Sequence, residues 1–133
     1  MRFVFDTNVL VSALLLSDSK PHLSLQLALH KGSLLLSFAV LAELYEVLSR
    51  KQFRRYIDED DVRIFVAALT REAEWVEVDV RLAACRDAKD NKFLELAVSG
   101  HATHIVTGDS DLLSLHPFQD IQIVSPNAFL SML

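Results

Sequence analysis

The sequence predicts an α/β fold built on a mainly parallel sheet covered on both faces. Short apolar runs alternate with amphipathic stretches long enough to be helices, the pattern of strands buried on both sides by crossover helices. Gly32 and Gly100 stand where two of the helical patterns stop, as helix terminators do. Of the 133 residues 51% are hydrophobic, and only three are Gly and three Pro, so the chain can fill a core and lacks a disorder-prone composition. Without repeats, low-complexity segments or a linker, residues 1–133 read as a single domain.

The elements follow in order. Arg2–Phe5 is a short apolar run and reads as a buried strand, and Asp6-Thr7-Asn8 offers three capping residues to a helix over Val9–Leu16. His22–Lys31 carries Leu23 and Leu27 at helical spacing, and Ser33–Leu36 is a second apolar strand. Phe38–Arg50 is a strong helix whose Val40, Leu41, Leu44, Tyr45, Val47 and Leu48 form one stripe. Asp58–Glu74 opens with acids, which favour a helix start, and carries Val62, Phe65, Val66 and Leu69. Trp75–Val80 alternates apolar and acidic residues, as a strand with one covered face does. Asp90–Ser99 is a helix, His104–Thr107 a strand, Asp111–Leu115 a short helix, Ile121–Val124 the last strand and Pro126–Leu133 a closing helix.

No apolar run reaches the roughly 18 residues of a membrane span. The opening Met1–Leu16 has the outline of a signal peptide, but Asp6 and Asn8 interrupt its apolar part. The lone Cys85 excludes an internal disulfide and fits a reducing compartment, so the expected location is cytoplasmic, with no membrane partner. The net charge of −5 argues against a generic nucleic-acid-binding surface. Without Asp6, Glu43, Asp90, Asp109 and Asp111, however, the charges balance at 13 of each sign.

Those acids occupy unusual places. Asp6 and Asp109 each follow an apolar strand, where ligand crevices of parallel sheets lie. Either could instead be a cap or turn residue, as could Asp111. Asp90 shares an i, i+3, i+4, i+7 set with Phe93, Leu94 and Ala97, so it lies on the face its helix buries. Glu43 is mid-helix, roughly 40° from Val47 on a helical wheel. Glu46 falls nearly opposite the stripe and can pair with Arg50. Spacing makes Glu43 the inward glutamate without separating it from an ordinary boundary residue. If the fold gathers these acids, their repulsion in a poorly solvated cleft is large, and a divalent cation is its simplest relief.

The motifs resemble those of the PIN-domain nuclease family across nearly the whole chain. They are Phe5-Asp6-Thr-Asn-Val-Leu10, Ser37 followed by Glu43-Leu44, Arg86-Asp-Ala-Lys-Asp90-Asn-Lys-Phe-Leu-Glu-Leu-Ala97, and Val106-Thr-Gly-Asp109-Ser-Asp111-Leu-Leu113. Their order and spacing make the likeness specific. The resemblance implies a three-layer α/β/α sandwich and a ribonuclease site dependent on Mg²⁺ or Mn²⁺. Carried over by position, Asp6, Glu43, Asp90 and Asp109 are its acids, Asp111 a fifth, and Asn8 and Thr107 its polar supports. It further implies a VapC-like toxin opposed by an antitoxin, and a homodimer.

Oxygen-only ligands suit these hard cations, and Mg²⁺ keeps several waters, so few carboxylates per ion suffice. Arg50, Lys51, Arg54 and Arg55, interleaved with Phe53 and Tyr56, offer an RNA-binding rim or else a solvated helix end complementing the dipole. The histidines show no zinc spacing, and His101 and His104 are expected on the surface or in loops. Three alternatives compete. A haloacid-dehalogenase-like phosphohydrolase also opens with an Asp after its first strand but needs a second Asp where this chain has Asn8. A signalling receiver domain needs a late Lys, and none follows Lys92. A non-catalytic interaction module would use the acids only as caps.

Overall fold

The computed structural model describes residues 1–133. Its five strands, β1 (Arg2–Phe5), β2 (Ser33–Leu36), β3 (Glu74–Trp75), β4 (His104–Val106) and β5 (Gln122–Val124), form one all-parallel sheet in the order β3-β2-β1-β4-β5. Seven helices accompany them: α1 (Thr7–Leu15), α2 (Lys20–Lys31), α3 (Phe38–Leu48), α4 (Glu59–Glu72), α5 (Asn91–Ser99), α6 (Ser110–Leu113) and α7 (Pro126–Met132). The expected α/β/α sandwich is what forms. The chain adds strands outward on one side of β1, then crosses to its other side at β4. The boundary between β1 and β4 is thus a topological switch point, with a crevice at the strands' carboxyl ends.

Burial explains the strands. Phe3, Val4, Phe5, Leu34, Leu35, Leu36, Ile105 and Val106 are almost fully buried, which their unbroken apolar runs require of a sheet covered on both faces. α5 packs across β1, β2 and β4 with Phe93, Leu94, Leu96 and Ala97 buried, while α2 packs on both α1 and α7. Side-chain caps start α1 to α4: Asp6, Ser19, Ser37 and Asp58 each accept an amide hydrogen bond in the first turn. Gly32 is required where it stands, because a Cβ there would lie 2.0 Å from the Met1 carbonyl oxygen, the acceptor for Ser33 N–H.

Four expectations change. The strand expected over Trp75–Val80 ends at Trp75, and only the Val76 amide still reaches β2, through Leu36 O. Beyond it the backbone runs beside α5, where Ser99, Glu95 and Asn91 side chains accept from the amides of Asp79, Leu82 and Cys85 in place of a strand partner. In α2 the buried face is Ser24, Leu25 and Ala28, and Leu23 is exposed, because the helix turns a small-residue face toward α1 and α7. Tyr45 leaves the α3 stripe and lines an open groove with Leu48, Arg54, Ile57, Val62 and Arg63. His104 is a core residue, with its ring 5.6 Å from Phe3 and 5.9 Å from Phe129 and its Nδ1 bonded to Thr103 Oγ1. Burial lowers its pKa, so it packs as a neutral aromatic.

Gly108 is different from Gly32. Its φ is not positive and a Cβ there would touch nothing within 4 Å. Gly108→Ala is therefore expected to stabilise the protein by about 0.4–1 kcal/mol through the unfolded chain. Denaturant melts check this, and a destabilised variant would reveal a packing demand on that position.

Candidate functional site

The two central strands bring the first acids together. Asp6 follows β1 directly, is 4% exposed, and caps α1 by accepting the Val9 amide on Oδ1 at 2.8 Å. Its Oδ2 accepts the hydroxyl of Thr107, which is wholly buried just past β4. Thr107 Oγ1 accepts the Asp109 amide at 3.0 Å, and Asp109 caps α6 through the Leu112 amide at 3.0 Å. Capping and membership of an acid cluster are thus compatible here: the caps use one carboxylate oxygen and orient the rest. Thr107 thus ties the two strand ends.

Asp90 and Glu43 enter from the helices. A 3-10 turn over Ala88–Asp90 leads into α5, and no protein donor bonds the Asp90 carboxylate. Glu43, in the middle of α3, is held at both oxygens: Thr7 donates to Oε1 and the Lys92 ammonium to Oε2. Lys92 also donates to the Lys89 carbonyl. Glu46 faces water and pairs with Arg50 at 2.9 Å, as the helical wheel requires. Thr7 and Lys92 were not singled out from sequence. Their partners lie 36 and 49 residues away, beyond any local spacing rule, and the one available hint is polar residues adjoining the Asp6 and Asp90 motifs.

Charge links the group. Burial raises the Asp6 pKa, and the neighbouring charges of Asp109 and Asp90 raise it further, against the lowering effect of its Thr107 and Val9 hydrogen bonds. Burial likewise raises Asp90, with Asp109, Asp87 and Glu43 adding and Lys92 opposing. A carboxyl whose folded pKa lies above its unfolded value gives stability that is present at low pH and lost as pH rises through the folded pKa. In chelator, Asp90→Asn is therefore expected to be more stable than wild type at neutral pH. The gap should close as pH falls into the range where the raised Asp90 protonates. Melting curves across pH read this out, and a gap that widened on acidification would contradict it.

The other candidates are more dispersed. Asn8 is exposed and lines a groove of about 350 Å³ with Val9, Ser12, Gly108 and Asp109. Asp111 is half-buried in the first turn of α6 and is not among the principal charges felt by Asp6 or Asp90. Of the basic stretch, only Arg50 is seen to feel an acid of the group, Glu43. The stretch begins beyond Leu48, which lies roughly 7 Å past Glu43 along the helix axis. Arg50 is engaged with Glu46, Arg54 faces the separate Tyr45 groove, and Lys51 and Arg55 are exposed. Cys85, near the acids, has its thiol pKa pushed up to about 11 by burial and by the charges of Asp90 and Asp109, so it stays a thiol at neutral pH.

The donor set fits a hard divalent cation: all are carboxylate oxygens, and Asp90 is free of competing donors. No three His, Cys, Asp or Glu side chains close on one point at ligating distance. The arrangement therefore suits an ion that retains several waters, as Mg²⁺ does, more than one enclosed by protein.

An all-parallel sheet with carboxylates gathered at its switch point defines an acid-centred α/β domain. The chain belongs to the PIN-domain family, whose model matches residues 2–111. Among relatives, it is 32% identical over 118 residues to the uncharacterized protein MJ1680 of Methanocaldococcus jannaschii, covering 86% of this chain and 75% of that one. Its fold is similar to a chain in the crystal structure of VapBC2 from Rickettsia felis bound to a promoter DNA fragment, with a TM-score of 0.65 and 17% identity over 94% of this chain and 98% of that chain. It is also similar to a chain of VapBC-1 from nontypeable Haemophilus influenzae, with a TM-score of 0.62 and 15% identity over 96% and 99% of the two chains. No helix is long and apolar enough to cross a membrane.

Proposed function

We propose that this chain is a single-domain, divalent-metal-dependent ribonuclease that hydrolyses RNA phosphodiester bonds, acting in the cytoplasm as the toxin of a toxin–antitoxin pair. The observation that carries the reading is that Asp6 and Asp109 stand past the adjacent ends of β1 and β4 of a PIN-family sheet, tied through the Thr107 hydroxyl, with the Asp90 carboxylate free of protein donors. A bound Mg²⁺ or Mn²⁺ supplies polarisation of the scissile phosphate and a water acidified toward hydroxide. Asp90 would bind the ion directly, and Asp6 and Asp109 would hold it directly or through its retained waters, with Asp111 at the rim. Glu43, fixed by Thr7 and Lys92, would orient that group or accept the water's proton, and Asn8 and Thr107 would support it. The VapBC likeness supports the toxin role and an antitoxin partner, and a homodimer is part of the same proposal. An apolar groove lined by Leu14, Leu15, Tyr56, Ile57, Ile64 and Phe65 supports a partner surface, with Ile64 67% exposed. Light scattering over a concentration series tests the dimer, which a strict monomer would remove without touching the nuclease reading.

The reading is tested by incubating the protein with single-stranded RNA and with a phosphomonoester, in Mn²⁺ and in chelator. RNA cleavage that stops in chelator, with the monoester intact, is expected. Monoester hydrolysis without RNA cleavage would instead favour the phosphohydrolase, which Asn8 already disfavours. Inactivity on both, together with no metal response, would leave an interaction module.

A further inference from the structure

The acid cluster already contains one cation. The Lys92 ammonium sits on Glu43 Oε2 and on the Lys89 carbonyl, and its side chain is only 19% exposed and that of Glu43 only 25%. The other Glu43 oxygen is engaged by Thr7, whose own residue is 5% exposed. Glu43 thus differs from Asp6, whose two donors are the neutral Val9 amide and Thr107 hydroxyl, in having a cation on one oxygen, while the Asp90 carboxylate has no donor. We propose that Lys92 is a resident counter-cation that occupies the Glu43 corner and limits the site to one divalent ion, held by Asp6, Asp90 and Asp109.

The physical basis is competition for one carboxylate. An ammonium packed against Glu43 neutralises it and repels a second dication from that corner, in a partly buried setting where screening by solvent is weak. Lys92 is in this sense a positioning residue: it keeps Glu43 beside the ion without letting it recruit another. The inference rests on the metal-dependent reading of the site and specifies its stoichiometry.

Mn²⁺ binding counted by calorimetry and by electron paramagnetic resonance of the free ion tests it without any reaction. Wild type is expected to bind one Mn²⁺ per chain and Lys92→Met two. Lys92→Arg, which restores a cation, should return the count to one, as should Lys92→Met combined with Glu43→Gln, which removes the vacated carboxylate. A merely structural role for Lys92 would not raise the number of ions bound. Two Mn²⁺ in wild type, or one in a folded Lys92→Met protein, would overturn the proposal, and the wild-type count decides even if Lys92→Met does not fold. Loss of RNA cleavage with these counts intact would instead defeat the nuclease reading alone.

Discussion

Replacing Asp90 by Asn is expected to abolish metal-dependent RNA cleavage, by about 100-fold or more, while leaving the protein folded. Loss of even an outer-shell partner of a metal costs about 10–100-fold, and Asp90 is proposed as a direct ligand. The structure makes this the cleanest of the acid substitutions. Asp90 accepts no side-chain hydrogen bond and caps nothing, so Asn removes charge and little else. Asp6→Asn should lose activity too, but it also disturbs the Thr107 contact and the cap on Val9. Single-turnover cleavage by folded Asp90→Asn at the wild-type rate would refute its assignment.

The second large effect separates two glutamates three residues apart. Glu43→Gln is expected to lower cleavage by about 10–100-fold, the usual cost of removing a carboxylate that orients a metal site. It leaves Lys92 without its anionic partner in a half-buried setting. Glu46→Gln breaks only an exposed pair with Arg50 and should change stability by no more than about 0.5 kcal/mol, with cleavage unchanged. Comparable losses in the two variants would show that the inward glutamate has been misassigned.

The contrast between these residues also shows what was legible in the chain. Glu43 and Glu46 are told apart by helical periodicity, and β1, β2 and β4 by apolar runs that burial on both faces demands. The positions of Asp6 and Asp109 past strand ends were legible because their motifs follow apolar runs, and the parallel pairing of β1 with β4 sets those two ends side by side. β3 was overextended because alternation specifies a covered face but not where a hydrogen-bonding neighbour stops. His104 was misplaced because a neutral imidazole in an aromatic pocket leaves no periodic mark of its own. Thr7 and Lys92 were missed for the same reason: their roles depend on Glu43, which only tertiary folding brings to them.

The basic stretch after α3 illustrates a further limit. Sequence composition identifies cations and aromatics together, whereas helix length decides how far they stand from the acids. Here Arg50 is committed to a local pair with Glu46 on the exposed side of α3, while also lying close enough to feel the charge of Glu43.

The central claim is that the fold gathers carboxylates for a divalent cation. Melting of wild type and Asp90→Asn, each in chelator and in saturating Mn²⁺, tests it most directly. Mn²⁺ should raise the wild-type midpoint through binding linkage. Asp90→Asn should melt higher than wild type in chelator, because a repelled and partly buried charge is gone, and should gain much less from Mn²⁺. A wild-type midpoint that does not move at saturating metal would contradict the claim.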